Sequence, residues 1–346
     1  MKRKIILIIL IALNYSCFSQ YVDNENQSDY SYNQALIDNA IDSLKEINTV
    51  HSLLIYKNDS LISETYFNEN NQKSTGNLKS ASKSILSSLI GIAIDNGFIK
   101  DTNQVISDYL SEYFNDSDED WRKNIKIKDL LTMSSGLEST SGQFYFDWIA
   151  SSNWIEYALN EKQVSLPGEK FHYSTGDTHL LSAILTKATG MTTMEFAQKY
   201  LFDKMNIEIS YWEQDPQGYY FGGNNLFLTP RELGAFGLMY LNSGFYNNQQ
   251  IVPVDWIQES TSLKMDFPKS YPISHNIKIL GYGYLWWLFN LSEYDAICAW
   301  GFGGQFLVIV KELDLIIVLT QDWQEDNFDR HIALEKIIDN IIIAFS

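Results

Sequence analysis

The sequence predicts a mixed α/β (α+β) fold: an antiparallel sheet flanked by helices, built from both chain ends, with a mainly helical domain inserted between them. Three observations lead there. Strand-like runs occur near the start, in HSLLIYKNDSLISETYF, and return in the last third as YGYLWWLF, a run ending in AICAW, QFLVIV and LDLIIVLT. Between them, from about residue 101 to 265, the segments are mostly helical, joined by aromatic-rich loops such as QFYFDWIASSNWIEYAL. Strands at both ends with helices between bring the two ends of the chain into one sheet. A chain of 346 residues, 45% hydrophobic with only 6 prolines, can bury the large core this needs.

The N-terminus stands apart from that fold. Lys2, Arg3 and Lys4 precede an apolar run from Ile5 to Leu13 that is too short to span a bilayer, with small residues near Ser19. Residues 1–19 are therefore expected to be an export signal, and the protein to be periplasmic or secreted. Lipid anchoring through Cys17 is the secondary alternative, because Asn14 and Tyr15 fit the lipoprotein cleavage pattern poorly. With Cys17 removed, Cys298 is alone and no intramolecular disulfide forms. Residues 20–33 are polar and aperiodic and read as a linker to one large domain at 34–346.

Along that domain, Leu36, Ile37, Ala40, Ile41, Leu44 and Ile47 give one apolar helical stripe, and the two strand-like runs after it meet at a turn over Lys57, Asn58, Asp59 and Ser60. Residues 78–95, LKSASKSILSSLIGIAID, leave almost no polar face from Ser82 onward and stop at Asn96-Gly97, which predicts a buried central helix. Thr229-Pro230-Arg231-Glu232 is a capping box with proline at the first helical position, opening a helix through about Leu241. IALEKIIDNIIIAF closes the chain as a helix.

The formal charge of −18 disfavours nucleic acid as a partner. A Ser-His-Asp hydrolase is disfavoured because no Gly-x-Ser-x-Gly occurs. His51, His172, His179, His275 and His331 include no pair at metal-ligand spacing beside a glutamate.

What remains is the buried helix's mouth. Residues three apart share a helix face, so Lys83 stands one turn from Ser80. A serine hydroxyl needs a base beside it to act as a nucleophile, and a lysine whose charge burial disfavours can be that base. Ser80 is the only serine in the chain with a lysine three residues later. The ordinary alternative is a helix-capping serine and a lysine reaching to water. Tyr173, after the Pro167-Gly168 turn and just before an apolar helix, is placed to hold its hydroxyl in a cleft and relay a proton, or else to anchor as a half-buried aromatic. In AWGFGGQFLVIV, Trp300, Gly301, Gly303 and Gly304 lead into a strand, and glycines there allow another group to approach the backbone closely. A bulge or tight turn accounts for them equally well.

Taken in order, SASK, IKIKDLLTMSSGL, PGEKFHYSTGDTHLL, the segment 222–244, YGYLWW and AWGFGGQ resemble the serine β-lactamase and penicillin-binding-protein-like superfamily, especially its class C-related branch. That branch holds D,D-peptidases, family VIII-type esterases and nylon-oligomer hydrolases. The resemblance implies a β-lactamase/transpeptidase-like fold with the active site between the α/β part and the inserted helices. It implies Ser80 as the acylated nucleophile, Lys83 as its base partner and Tyr173 as the residue passing a proton to the leaving group. An oxyanion hole and substrate-binding edge would come from the Ser80 N–H and the stretch Trp300, Gly301, Phe302 and Gly303, and no metal or cofactor is required.

Two positions depart from the pattern. Thr175 stands where the family's second motif has asparagine, and Ala299-Trp300-Gly301 stands where β-lactamases have Lys-Thr-Gly or a histidine equivalent. Loss of that cation predicts poor binding of substrates bearing a carboxylate. Trp300 with Phe144, Tyr145, Phe146, Trp148 and Trp154 would line a slot for an apolar or extended acyl group, with core packing the alternative for at least half of them. The expected function is an exported serine hydrolase acting on an ester or non-β-lactam amide, its partner a small-molecule or short peptide-like substrate. The alternatives are a D,D-peptidase or class C-like β-lactamase, and a binding protein that kept the fold and lost turnover.

Overall fold

The computed structural model describes residues 32–114, 119–272, 277–323 and 337–346, with side chains undescribed at 268–272 and 337–339. The expected signal at 1–19 and nearly all of the expected linker lie outside the described residues. Residues 33–346 form one compact unit.

The chain opens with helix α1 (Gln34–Lys45), which buries Ile37, Ala40 and Leu44 from the anticipated stripe. Strands β1 (Val50–Lys57) and β2 (Ser60–Tyr66) follow as a hairpin. Asn58 and Asp59 both adopt positive φ at its turn, which is what a two-residue loop matching the strand twist requires. After a short strand β3 (Gly76–Asn77), helix α2 (Ser82–Asp95) runs through the core with every residue from Ser82 to Ala93 buried. Gly91 is required inside it, because a Cβ there would fall 2.3 Å from the Trp256 ring. Asn96 caps its end by donating to the Ile92 carbonyl at 2.8 Å.

The middle of the chain is mostly helical. It holds α3 (Ile127–Leu131), α4 (Tyr145–Ile149), α5 (Trp154–Leu159), α6 (Thr175–Thr189) and α7 (Thr193–Ala197), with β4 (Tyr211–Trp212) and β5 (Leu226–Leu228) pairing into a three-stranded sheet with β3. Helix α8 (Pro230–Leu241) starts at the predicted capping box, with the Thr229 N–H donating to Glu232 at 2.7 Å. A small hairpin, β6 (Phe245–Tyr246) and β7 (Gln249–Gln250), leads to α9 (Val254–Ser260).

The last third supplies β8 (Met265–Pro272), β9 (Ile277–Tyr282), β10 (Trp287–Leu291), β11 (Tyr294–Gly301), β12 (Gln305–Val310) and β13 (Leu315–Gln321). The main sheet has the order β2-β1-β13-β12-β11-β10-β9-β8, antiparallel at every pairing. The N-terminal hairpin thus joins the C-terminal strands directly, β1 against β13. Every residue of β12 and β13 is buried, so both faces of the sheet centre are covered. On one face α8 packs closely, with Gly237 against Leu307 and Ile316 and Gly234 against the Tyr56 ring.

Two local expectations change. YGYLWWLF is not one strand: β9 ends at Tyr282, Leu285 turns at positive φ, and β10 begins at Trp287. Tertiary bonds hold the break, since the Leu285 N–H donates to Leu131 and its carbonyl accepts from Ser84 at 2.7 Å. In the closing segment, Ile337–Ile342 winds as a π-helix.

Candidate active site

Ser80 sits in a single 3₁₀ turn, Lys79–Ala81, that runs directly into α2. Lys79 before it has φ +49°, a left-handed conformation costing a non-glycine residue roughly 1–2 kcal/mol. The local bonds that hold this turn are the Lys79 N–H donating to Asn77 Oδ1 at 2.9 Å and the Ser82 hydroxyl donating to the Lys79 carbonyl at 2.7 Å. The result lifts Ser80 onto the wall of a cavity of about 570 Å³ while α2 stays buried behind it.

Lys83 is 1% exposed and its Nζ lies 3.1 Å from Ser80 Oγ, 3.3 Å from Thr175 Oγ1 and 2.7 Å from the Gly223 carbonyl oxygen. None of these partners is a carboxylate, so burial is uncompensated and pushes the ammonium down to about 7. Tyr173 completes the group. It lines the same cavity as Ser80, its ring centroid stands 5.2 Å from Lys83 Nζ, and burial pushes the phenol up to about 12, with the Ser80 hydroxyl opposing. A serine hydroxyl flanked by an amine that is half neutral near pH 7 and a phenol that stays protonated can lose a proton to one and give one through the other.

Further residues complete the site that spacing alone did not single out. Gly222 and Gly223 let their loop lie on α6: a Cβ on Gly222 would fall 2.1 Å from the Thr178 carbonyl, and one on Gly223 would fall 2.0 Å from Thr178 Oγ1 and 2.8 Å from Lys83 Nζ. The Gly-Gly pair at 222–223 was the legible signal for this close approach. Ser141 donates or accepts at 2.8 Å with Thr175 Oγ1 and accepts from the Thr175 N–H at 2.8 Å. The threonine therefore keeps a contact with the lysine where the family's second motif would place an amide.

The third element is placed in part. Gly301 ends β11 against the Ser80 turn, where a Cβ would fall 2.2 Å from the Leu78 carbonyl oxygen, and only glycine allows that approach. Gly303 and Gly304 both turn at positive φ, and Phe302, 52% exposed, lines the cavity. Trp300 points elsewhere: its ring stacks on Phe306 at 5.9 Å and meets Trp287 and Phe289, away from the cavity lining. Of the aromatic loop, Tyr145 and Phe146 line the cavity with Ile149, whereas Trp148 and Trp154 are sealed in a separate cluster with Phe221. The slot is therefore narrower in aromatic content than the sequence suggested. Burying two indoles together removes more apolar area from water than leaving them on a cavity wall.

The sequence profile of the family described as Beta-lactamase matches residues 37–339. The chain belongs to the beta-lactamase family. It is a serine hydrolase of that lineage, with the β-lactamase/transpeptidase-like arrangement of an antiparallel sheet and flanking helices. Among curated proteins it is similar to a 6-aminohexanoate-dimer hydrolase of Paenarthrobacter ureafaciens, at 23% identity over 268 residues, covering 72% of this chain and 66% of that one. A solved Bacillus anthracis protein provisionally assigned the same activity superimposes with TM-score 0.71 at 22% identity, covering 88% of this chain and 81% of the other. EstCE1, a hydrolase with promiscuous acyltransferase activity, superimposes with TM-score 0.69 at 14% identity, covering 89% and 97%. Among the described residues no helix is long and apolar enough to cross a membrane.

Proposed function

We propose that the protein is an exported serine hydrolase that cleaves an ester or non-β-lactam amide through an acyl-enzyme on Ser80. The observation that carries this reading is the buried Lys83 amine, 3.1 Å from Ser80 Oγ and held near neutrality by desolvation. Ser80 Oγ attacks the substrate carbonyl as its proton passes to the neutral Lys83 amine. The oxyanion is received by the Ser80 and Phe302 N–H groups, a role supported by the close seating of Gly301 on the Leu78 carbonyl. Tyr173 gives its proton to the departing alkoxide or amine and regains one from Lys83. Water then attacks the acyl-enzyme, its proton returning through the same pair, and Ser80 is restored. Tyr173 acts as the acid because its phenol is held up at about 12.

Choice of an ester or open-chain amide over a β-lactam is supported by Ala299-Trp300-Gly301, which puts no cation on the strand beside Ser80. The relatives named 6-aminohexanoate-dimer hydrolase and EstCE1 favour the same substrate class. Export rests on the basic-apolar start of the chain. Incubation with a fluorophosphonate probe, followed by a short-chain p-nitrophenyl ester panel beside nitrocefin, tests the reading. Labelling and ester turnover that vanish in Ser80→Ala, with little nitrocefin cleavage, are expected. Turnover surviving in Ser80→Ala would exclude the acyl-enzyme, and nitrocefin as the better substrate would exclude the substrate class.

A further inference from the structure

Once Ser80 carries an acyl group its oxygen can no longer pass a proton, and Lys83 keeps one other hydroxyl beside it. Among the described residues, Lys83 Nζ meets the Gly223 carbonyl oxygen at 2.7 Å, Ser80 Oγ at 3.1 Å and Thr175 Oγ1 at 3.3 Å. An ammonium has three N–H donors, so the neutral amine has two and a lone pair. For Lys83 to act as the base, the Ser80 O–H points at that lone pair, and the N–H donors go to Gly223 and Thr175. In the acyl-enzyme Ser80 Oγ is an ester oxygen that only accepts, as the Gly223 carbonyl does. Those two then take both N–H donors, and the lone pair is left to Thr175. Acylation therefore reverses the hydrogen bond between the lysine and the threonine.

Thr175 passes that reversal on. Its Oγ1 lies 2.8 Å from Ser141 Oγ, and Ser141 lines the same cavity as Ser80. Ser141 Oγ already accepts the Thr175 N–H at 2.8 Å, so in the acyl-enzyme it donates to Thr175 Oγ1 and keeps a lone pair for a donor in the cavity. The loop is fixed in this position, because the Ser139 hydroxyl donates to the Tyr173 carbonyl at 2.7 Å and Thr140 Oγ1 accepts from the Gly176 N–H at 2.7 Å. Capping the first turn of α6 accounts for the bonds to the Thr175 and Gly176 N–H groups. It does not account for the contact between the Ser141 and Thr175 hydroxyls. An asparagine at 175 would hold the lysine through an amide whose donor and acceptor are different atoms, whereas a hydroxyl accepts and donates at one oxygen.

We infer that Ser141 is a further catalytic group of this site, taking the proton of the deacylating water and passing it through Thr175 to Lys83. The inference rests on the proposed acyl-enzyme reaction and names the entry by which the water's proton reaches the lysine. The water O–H bond breaks as its oxygen bonds the acyl carbon. That proton goes to Ser141 Oγ, the Ser141 proton to Thr175 Oγ1, and the Thr175 proton to the Lys83 amine. The ammonium then gives a proton to Ser80 Oγ as the bond between that oxygen and the acyl carbon breaks. The acid leaves, and the serine, the amine and both relay hydroxyls are restored. Acylation does not use this row, since Lys83 takes the Ser80 proton directly.

The test separates the two half-reactions. Stopped-flow release of p-nitrophenol from p-nitrophenyl butyrate reads acylation, and intact-mass spectrometry follows the acyl-enzyme as it breaks down. Ser141→Ala, Thr175→Val and Thr175→Ser are compared with wild type, each checked for a native thermal transition. Ser141→Ala is expected to acylate within about threefold of the wild-type rate while breakdown of its acyl-enzyme slows about 10²-fold, the scale of one proton-transfer group. Thr175→Val should slow that breakdown to the same extent, and the double variant should be no slower than either single one, because the residues of a relay act as a unit. Thr175→Ser keeps the hydroxyl and should deacylate nearly as fast as wild type. Equal losses in both half-reactions of Ser141→Ala, or breakdown of its acyl-enzyme at the wild-type rate, would overturn the inference and leave the acyl-enzyme standing. Turnover that forms no acyl-enzyme and survives in Ser80→Ala would overturn both.

Discussion

Helix α6 touches two polar clusters one turn apart, and they have opposite fates. At its first residue Thr175 faces Lys83 and Ser80 on the wall of a 570 Å³ cavity. One turn on, His179 Nε2 meets Asp215 Oδ2 at 2.8 Å with both side chains fully buried. A histidine on an aspartate is the more familiar catalytic pairing, and here it lies off the cavity lining. Trp148, Trp154 and Phe221 close around the His179 ring at 5.3–5.9 Å, and Asp215 also accepts from the Gln217 and Tyr219 N–H groups. That cluster pins the 213–225 loop to α6, and the loop in turn delivers the Gly223 carbonyl to Lys83. The contrast shows that residue type does not decide the role of a buried polar group. Access to a cavity does.

Five measurements would break or sharpen that comparison. Ser80→Ala should lower ester kcat/KM by about 10³-fold or more with only a modest change in thermal stability, because it removes the nucleophile while the buried Lys83 amine keeps Thr175 and the Gly223 carbonyl as acceptors. Tyr173→Phe should lower kcat by about 10²-fold, the scale of one general acid. A residual rate near wild type would move Tyr173 to the anchoring role. His179→Ala should do the reverse of Ser80→Ala, costing about 2 kcal/mol in denaturant unfolding by leaving Asp215 short of a partner in an apolar shell. Its kcat per folded molecule should change less than tenfold. A loss as large as that of Ser80→Ala would make the two clusters one machine.

The smallest stability effect concerns pH. Burial draws Lys83 from 10.5 to about 7, so the folded state binds fewer protons than the unfolded state between those values. Stability should therefore rise with pH across that window, and the penalty is complete at pH 7 and below. Lys83→Met should be inactive yet more stable than wild type at pH 7, by about 1 kcal/mol or more, with the gain shrinking as pH approaches 10.5. In the wild type, kcat/KM should fall about tenfold per pH unit below about 7 as the amine becomes charged. A flat profile between pH 5 and 8 would deny Lys83 the role of base.

Much of this was written locally. The α8 start needs only Thr229, Pro230 and Glu232, since a capping box closes within one turn. The β1–β2 hairpin follows from Asn58 and Asp59, which tolerate positive φ, and the burial of α2 follows from a run of apolar residues with no polar face. The pairing of Ser80 with Lys83 comes from helix periodicity alone. These features depend on neighbours within a few residues, so the chain states them directly.

The rest depends on contacts across long stretches of chain, and only the folded structure decides them. Helical spacing puts Lys83 beside Ser80 but says nothing of the Gly223 carbonyl, 140 residues away in the chain, or of the desolvation that sets its charge. The break at Leu285 is held by Ser84 and Leu131. Sequence alone could not sort Tyr145 and Phe146 from Trp148 and Trp154, because all four are aromatic and their fate depends on where His179 and Phe221 lie. It could not show that Lys79, an unremarked residue beside the serine, lines the cavity. Sequence by itself determined the elements and the nucleophile's immediate neighbour, because those are set by local geometry. Burial and partnership are properties of the assembled core, and they decided which polar groups are free to act.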